Sequence, residues 1–490
     1  QPRLLVVELH RRHAPLHRRL DIDGQPMSIV TSWRPRRGRN VELLLLIFAV
    51  AIVTLAYVSV EGATHGSIPT DLATQVGGLL AITIAFHLVL RFTASYADPL
   101  LLPIATLLNG LGLVMIHRLD IAEGRSISEG MALRQLTWSA LAVGIAITGL
   151  LWLRDHRTLR RYTFLAGASG VALLLLPLLP IIGREVNGAR IWIRLGGLGF
   201  QPGEVAKVLL VVTFAGYLVQ HRDALALAGR RLVFIDLPRG RDLGPILGMF
   251  LVSMGILIFQ RDLGSSLLFF GLFLVMLYIA TERPGWLVVG STMFALGALA
   301  AYRFIGHVHL RVNVWLDPWA HYGEGTDDRA RQSVEAMFGM AWGGLLGRGF
   351  GSGQPWRVSF SHSDFIISAI GEELGLTAIM AIVVCYGLIV ERGLRTALIC
   401  RDGFGKLVAA GLAVVFALQV FVVIGGVTRL IPLTGLTTPF LSYGGSSLVA
   451  NWVIIALLLR ISDHARRPVP RLTEDERPIG DDEATQVVRL

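Results

Sequence analysis

Long apolar segments dominate the chain and alternate with short polar ones. A helix needs roughly 20 apolar residues to cross a bilayer, and windows of that kind recur along most of the sequence. They predict twelve membrane spans, near residues 42–60, 75–92, 98–117, 135–153, 162–182, 203–220, 244–260, 263–281, 285–304, 365–390, 406–427 and 440–460. The predicted fold class is an all-α polytopic membrane protein.

The composition agrees with that pattern. Charged residues make up 16% of the chain and hydrophobic residues 53%, whereas a soluble domain carries about 25% charged residues. A soluble enzyme is therefore excluded. The net charge is +10, and nearly all the cations are arginines, because Lys207 and Lys406 are the only lysines of the 490 residues.

The arginines also predict the orientation in the membrane. Residues 154–161 hold four arginines, 221–243 hold five and 391–406 hold three, whereas 61–74 hold none and 428–439 hold one. Because cytoplasmic loops carry the excess of Lys and Arg, both termini are predicted to be cytoplasmic.

The chain divides into four regions by composition. Residues 1–41 hold nine arginines and no continuous apolar stretch, so we expect a basic cytoplasmic segment without a cleavable signal peptide. Residues 42–117 hold the first three spans, and 118–462 hold the rest of the transmembrane region. Residues 463–490 mix charge and proline with few large apolar residues, which predicts a disordered cytoplasmic tail.

One long loop, 305–364, is predicted on the outer side. It contains four tryptophans among charges of both signs, a composition that argues for function, since disordered segments are poor in aromatic residues. Asp317 lies between Trp315 and Trp319 and precedes a proline, which biases it to an extended backbone. It is either a fixed functional carboxylate or the start of an ordinary Asx turn.

Seven glycines crowd residues 339–353 of the same loop. Such residues permit turns and close backbone approach, so the segment is either a phosphate cradle or a place where helix and loop cross closely. Its spacing matches no P-loop.

A second outer segment, 187–207, has alternating apolar residues and Trp192, which suits a stretch at the membrane interface. Pro202 is predicted in the first turn of the following helix, with Glu204 and Lys207 on one helical face. Ionisable residues inside a span are usually paired or functional, so a binding site and a structural ion pair both remain open.

Further acidic residues lie at the outer ends of predicted spans. Asp262 follows span seven, Asp364 precedes span ten, and Glu372 and Glu373 lie inside span ten. Together with the neighbouring cations they indicate a site for a charged lipid headgroup.

These segments resemble those of the SEDS proteins, the RodA and FtsW type of peptidoglycan glycosyltransferase. The resemblance rests on six segments in order: NGARIWIRLGGLGFQPGEVAK (187–207), QRDLGSS (260–266), WLDPW (315–319), RQSVEAMFGMAWGGLLGRGFG (331–351), SHSDFIISAIGEELG (361–375) and PLTGLTTPFLSYGGSS (432–447). It implies a core of ten spans, to which this chain adds two at the N-terminus, as in actinobacterial RodA-like members. Gly203 stands where the family usually has serine.

The resemblance also implies an activity. Family members polymerise lipid II, as donor and acceptor, on the outer face of the bacterial cytoplasmic membrane, with inversion at the sugar, and they serve cell elongation, cell shape or division. Asp317 matches the family's essential aspartate. A class B penicillin-binding protein is the expected partner and a divalent cation, Mg²⁺ or Mn²⁺, the expected cofactor. No organic cofactor and no nucleic acid partner are expected.

Each candidate residue has an expected role. A positioned carboxylate can accept the proton of the acceptor hydroxyl, and Asp317 is the outer carboxylate best placed for this. Cations stabilise a departing diphosphate. The substrate-binding candidates are Arg311, Lys207, Arg194, Gln332 and Ser333, with Glu204 orienting Lys207, and the metal-ligand candidates are Asp262, Asp364 and Glu372.

Two alternatives belong to other functional classes. A lipid II flippase would need a hydrophilic path through the bundle, and a scaffold that only recruits the penicillin-binding protein would not need Asp317. Replacing Asp317 by alanine and following glycan chains made from labelled lipid II distinguishes the three.

Overall fold

The computed structural model describes residues 35–468 apart from 68, 70, 187, 196–197, 227–229, 233–234, 238–239 and 324–328. The helices in this part of the chain are α1 (Pro35–His65), α2 (Leu72–Thr93), α3 (Leu101–Ala122), α4 (Met131–Trp152), α5 (Thr158–Arg161), α6 (Thr163–Leu175), α7 (Pro202–Ala226), α8 (Gly240–Phe259), α9 (Leu263–Thr281), α10 (Gly285–Phe304), α11 (Gly306–Leu316), α12 (Arg331–Gly343), α13 (Ile366–Ile399), α14 (Gly403–Val427) and α15 (Gly445–Arg466). The strands are β1 (Gly183–Val186), β2 (Ala189–Leu195), β3 (Leu198–Phe200), β4 (Arg230–Leu232) and β5 (Ile235–Leu237).

An apolar helix lies at each of the twelve predicted spans. Among the described residues, ten helices are long and apolar enough to cross a membrane. The predicted spans 162–182 and 244–260 coincide with two shorter apolar helices, Thr163–Leu178 and Leu247–Phe259. The first is short because Pro177 lies in a 3-10 turn that ends α6, and the second because α8 begins with polar residues.

Burial distinguishes central helices from peripheral ones. In the apolar windows of α3 and α15, 89% and 83% of the residues are buried inside the protein, whereas in α10 only 6% are. The helices α7 and α14 are also mostly buried. These four helices therefore form the centre of the bundle, while the apolar surface of α10 faces outward.

Local sequence signals explain where several helices begin. The Asp262 carboxylate accepts a hydrogen bond from the backbone N–H of Ser265 at the start of α9, at 2.9 Å. Asp402 does the same for Gly405 at the start of α14, at 2.7 Å. Both are ordinary aspartate N-caps. Pro202 begins α7, as predicted, because the first helical position needs no N–H donor.

A small antiparallel sheet forms in the outer segment that the sequence predicted as an interfacial stretch. Strand β2 pairs with β1 and with β3, and Arg184 lies opposite Trp192. The predicted class of an all-α membrane protein is confirmed by the helices, and this small sheet is an addition to it. The backbone N–H of Arg190 donates to the carbonyl of Gln260 at 3.1 Å, so the sheet is anchored to the turn between α8 and α9.

The long loop 305–364 is largely structured and contains α11 and α12. Its glycines agree with the second of the two interpretations, in which helix and loop cross closely. Gly347 has φ +82°, and a Cβ there would lie 2.3 Å from the carbonyl oxygen of Glu373 on α13. A side chain is excluded by that contact, so backbone proximity alone accounts for this glycine.

The two terminal regions are shorter than predicted. Helix α1 begins at Pro35, inside the predicted segment 1–41, and α15 continues to Arg466, beyond the predicted start of the tail at 463. The end of α15 is held by Arg466, which donates to Asp98 at 2.6 Å. The remainder of both regions lies outside the described residues.

Candidate active site

A cavity of about 480 Å³ opens where several separated segments meet. Its wall combines the β1–β2 hairpin, the turn between α8 and α9, helix α11, the start of α12, the segment before α13 and the segment between α14 and α15. Only folding brings these segments together, because they span residues 186–443 of the chain.

Arginines outnumber acidic residues in the described lining of this cavity. In the described part of the chain, its charged lining residues are Arg261, Asp262, Arg311, Arg329, Asp364 and Arg429. Four guanidinium groups thus face two carboxylates. Guanidinium groups recognise phosphate oxygens through paired hydrogen bonds, so the lining suits an anionic group such as a diphosphate.

Arg311 lies near both aspartates of this cavity. Burial lowers the pKa of its guanidinium, while the charges of Asp262 and Asp364 favour its protonated form. Burial raises the pKa of Asp262, and it raises the pKa of Asp364 to about 6. In both carboxyl groups, the effect of burial on the pKa outweighs that of the neighbouring cation. Binding of another cation or hydrogen-bond donor would therefore be favoured here.

Two residues that sequence reasoning missed hold the wall of the cavity together. Trp315 donates its indole N–H to the carbonyl of Arg429 at 2.9 Å, and Arg429 donates from Nη2 to the carbonyl of Trp315 at 2.8 Å. This reciprocal pair fixes α11 to the segment after α14. A signal was present, because Arg429 is the single arginine of 428–439.

Asp317 follows α11 directly. Its backbone is extended, with φ −132° and ψ 82°, as predicted for a residue before proline. Its carboxylate accepts a hydrogen bond from the backbone N–H of Ala320 at 3.2 Å, so the predicted Asx turn is present. The side chain is exposed. Within the described residues it does not line the cavity, although Trp315, two positions earlier, does.

Lys207 and Glu204 form a buried ion pair behind the cavity wall. The Lys207 ammonium donates to Glu204 and to the side-chain oxygen of Gln419, both at 2.6 Å. Gln419 in turn donates to the carbonyl of Thr437 at 2.9 Å, and Thr437 lines the cavity. Neither Lys207 nor Glu204 lines the cavity; Glu204 orients Lys207, and the pair supports a residue of the wall. Substrate binding by Lys207 stays a prediction.

The other predicted residues separate into two groups. Gln332 and Ser333 line the cavity beside Arg311, as Asp262 and Asp364 do. Arg194 is exposed on β2 and is not a lining residue of this cavity. The lining residues of β2 are Ala189, Ile191 and Trp192 instead, which lie nearer the turn of the β1–β2 hairpin.

Glu372 lies apart from the two aspartates. It lines a different cavity, of about 520 Å³, and its carboxylate accepts a hydrogen bond from the backbone N–H of Gln354 at 2.6 Å. The three predicted metal-ligand candidates thus do not form one group, because α13 directs Glu372 toward the glycine-rich segment.

The chain is similar to known proteins. A family profile described as "Cell cycle protein", for FtsW, RodA and SpoVE, matches residues 98–467. Peptidoglycan glycosyltransferase RodA of Mycobacterium tuberculosis (strain H37Rv) is 47% identical over 454 residues, which cover 92% of this chain and 96% of that protein.

Two solved structures have the same fold. The crystal structure of the rod shape determining protein RodA of Thermus thermophilus is 26% identical, with a TM-score of 0.52, and covers 75% of this chain and 96% of that chain. A chain of a peptidoglycan synthase complex, studied for the structural coordination of polymerization and crosslinking, is 26% identical, with a TM-score of 0.51, and covers 80% of this chain and 97% of that chain. This chain is a multi-pass membrane protein and belongs to the SEDS family, the family of RodA, FtsW and SpoVE.

Proposed function

We propose that the chain is a peptidoglycan glycosyltransferase that polymerises lipid II at the arginine-lined cavity. The observation that carries this proposal is that, among the described residues, Arg261, Arg311 and Arg429 line one cavity together with Asp262 and Asp364. Its relatives named as peptidoglycan glycosyltransferases give the reaction class, and lipid II carries a diphosphate that such a cavity would bind.

The leaving group determines what the site must supply. When the acceptor hydroxyl oxygen attacks the anomeric carbon, the bond from that carbon to the diphosphate breaks, and the diphosphate leaves with the electron pair. Arg311 and Arg429 are placed to stabilise the resulting negative charge. A single preorganised donor of this kind is typically worth about 10²–10³ in kcat, and a good leaving group needs no general acid.

The acceptor needs a base, and we assign that role to Asp317. Its carboxylate takes the proton of the attacking hydroxyl as the new bond forms. The turn with Ala320 and the following Pro318 restrict its position. A single displacement at the donor inverts the anomeric carbon, as in one-step inverting glycosidases.

Positioning completes the mechanism. Two polyprenyl-linked substrates held at one membrane-embedded protein react as if within one molecule, which can supply about 7–11 kcal/mol of the barrier. Lys207 acts at one remove, since the hydrogen bonds from Lys207 to Gln419 and from Gln419 to Thr437 fix part of the cavity wall. It is a positioning residue.

We further propose that a divalent cation, Mg²⁺ or Mn²⁺, assists the reaction and that Asp262 and Asp364 would hold it. Both line the cavity, and burial raises the pKa of both carboxyls, a penalty that a dication would offset. Mg²⁺ is commonly held by one or two carboxylates together with substrate phosphates. When bound, it would stabilise charge on the diphosphate.

The location and partner follow from the same proposal. We infer that the chain lies in the bacterial cytoplasmic membrane with both termini inside, which the arginine-rich loops support, and that it works with a class B penicillin-binding protein, which the related synthase complex supports.

Thiol labelling tests the orientation in the membrane. In a background with Cys385 and Cys400 replaced by serine, an impermeant thiol reagent should label Ser67→Cys in intact cells but Arg401→Cys only after lysis.

The decisive experiment uses Asp317→Ala and Asp317→Asn in the purified complex with labelled lipid II. Both variants should keep the wild-type melting temperature and lose glycan chains by at least about 10²-fold, the lower end of the range for a general base. Glu282→Gln, an exposed carboxylate 70% accessible at the far end of α9, is the matched control. Undiminished polymerisation by Asp317→Ala would show that Asp317 is not the base. Chelation with EDTA separately tests whether polymerisation needs the divalent cation.

A further inference from the structure

A second polar cavity, of about 480 Å³, lies at the ends of α1, α2 and α3. It is separate from the reaction cavity, with which it shares no lining residue in the described part of the chain. Glu61, Asp71 and His117 come from the three different helices or their caps, and one ligand atom of each lies within 4.8 Å of the others. All three residues are buried, at 8%, 6% and 6% exposed.

Asp71 is the residue that this arrangement leaves unexplained. It occupies the N-cap position of α2, where an aspartate normally accepts a hydrogen bond from the first turn, yet it makes no such bond. Among the described residues, its buried Oδ2 atom has no regular hydrogen bond, and the hydroxyl group of Tyr57, which also lacks one, lies beside the carboxylate. Burying a carboxylate with only a neutral hydroxyl group at hand is costly, so a cation at that atom would be favoured.

Glu61 and His117 line the same cavity and contact each other directly. Glu61 contacts the Nε2 atom of His117 at 2.7 Å through one carboxylate oxygen and the Nδ1 atom of His65 at 2.8 Å through the other. The His117 ring stacks on Tyr57 at 4.5 Å between centroids, which fixes its orientation. The neighbouring Gln75 also has a buried side-chain oxygen without a partner.

The charges of the described residues around this cavity also favour a cation. Three carboxylates line it, Glu61, Asp71 and Asp120, against one guanidinium, that of Arg125. Arg125 is paired with Asp120 at 3.3 Å, so Glu61 and Asp71 remain for the two neighbouring histidines or for a dication.

We infer that Glu61, Asp71 and His117 bind a divalent transition-metal ion of the Zn²⁺ class. Two carboxylates and one imidazole are ligands that Zn²⁺ uses with bond lengths near 2.0–2.2 Å, and the three ligand atoms lie within 4.8 Å of one another, so small side-chain movements would bring all three to one ion. His65 is half exposed, at 52% of its side chain, and lies at the entrance as a further ligand or a route from the solvent.

Such an ion would fasten the two additional helices to the family core. Glu61 and Asp71 precede the region that the family profile matches, whereas His117 lies within it. The next residue, Arg118, donates to Glu373 at 2.9 Å and to the carbonyl of Gly353 at 3.1 Å. The metal would therefore fix the end of α3 that also supports the glycine-rich segment.

The test measures metal binding by the full-length protein, independently of polymerisation. After chelation and dialysis, Zn²⁺ alone is titrated, and bound zinc and the melting temperature are recorded for the wild type, Asp71→Asn and the matched control Glu129→Gln, an exposed carboxylate of the α3–α4 connection. His156, Cys400 and Asp402 form another possible zinc group, so the difference between variants decides, not the total zinc.

We expect the wild type and Glu129→Gln to bind one more zinc than Asp71→Asn, or to bind it at least about 10-fold more tightly, since even outer-shell partners contribute that much. Zinc should raise the melting temperature of the first two proteins only. In EDTA, Asp71→Asn should melt no lower than the wild type, because it removes an uncompensated buried charge. Equal zinc binding by all three proteins, or a melting temperature lowered equally with and without zinc, would overturn the proposal.

Discussion

At the scale of single residues, there is a structural reason why position 207 holds a lysine in a chain whose cations are nearly all arginines. The ammonium group contacts Glu204 and Gln419 at 2.6 Å in a site where Lys207 is 3% exposed. A compact ammonium fits between two oxygens in that space, whereas a planar guanidinium with five donors would leave several of them unsatisfied. The sequence could single out Lys207 but could not tell a wall-supporting pair from a substrate contact.

The first prediction concerns this pair. Lys207→Met should lower the free energy of unfolding by about 3–5 kcal/mol, because it leaves the Glu204 carboxylate buried without its partner. The double variant with Glu204→Leu should recover much of that loss, since no buried charge remains. The melting temperature in detergent and denaturant titration measure both.

The matched control is the exposed pair of Arg190 and Glu185, whose side chains are 57% and 48% accessible. Arg190→Met should cost no more than about 1 kcal/mol, as surface pairs do. A Lys207→Met variant as stable as Arg190→Met would show that the buried pair is dispensable.

At the scale of elements, the helices could be predicted from the sequence, whereas the contacts between separate segments could not. The apolar windows identify α3 or α14 because each helix satisfies its own backbone hydrogen bonds. The strands β1 to β3 depend instead on contacts outside their own segment, such as the bond from Arg190 to Gln260. Alternation along 189–195 was visible, but apolar alternation also fits an interface between membrane and water.

The second element-scale feature is the junction of α3 with α13. Arg118 donates to Glu373 at 2.9 Å, to the carbonyls of Gly351 and Gly353, and lies over the ring of Trp356 at 5.0 Å. Glu373 is fully buried, and its second oxygen accepts from the backbone N–H of Gly351 at 3.2 Å. One arginine thus ties α3 both to α13 and to the glycine-rich segment.

We predict that Arg118→Ala destabilises the protein by about 3–5 kcal/mol, since it leaves a buried carboxylate unpaired, and that residues 349–357 become susceptible to proteolysis. Arg118→Lys should recover only part of the loss, because an ammonium cannot reproduce the planar fork that serves three acceptors. Arg125→Ala, a half-exposed arginine of the same region, provides the comparison. Equal melting temperatures for Arg118→Ala and Arg125→Ala would contradict the prediction.

At the scale of the whole molecule, the sequence indicated the class and the chemistry but not the assembly of the site. The motifs around Asp262, Arg311 and Asp364 were each recognisable, and the structure shows that they line one cavity. Glu372, from an equally good motif, faces another cavity. The difference arises from the direction in which α13 presents its side chains, and no single-segment pattern contains that information.

The hydrophobic interior forms two clusters, and the two additional helices contribute to both, with Phe86 of α2 in the larger one. The large cluster spans most of the bundle, whereas a smaller cluster joins α1 and α2 to α3 and α4 through Val53, Leu79 and Leu113. Leu113 is 4% exposed. The first two helices therefore pack against the family core through an apolar contact of their own, beside the proposed metal group.

The last prediction follows from this division. Leu113→Ala should cost about 2–5 kcal/mol of packing energy and should increase hydrogen exchange in α1 and α2 while leaving α14 and α15 protected, because the cavity opens in the smaller cluster. Leu108→Ala, at a fully buried position of the large cluster on the same helix, should increase exchange in the central helices instead. Hydrogen exchange followed by mass spectrometry of the purified protein separates the two. If both variants increased exchange in the same helices, α1 and α2 would unfold together with the rest of the bundle as one cooperative unit. The two clusters would then differ in their contacts but not in their stability.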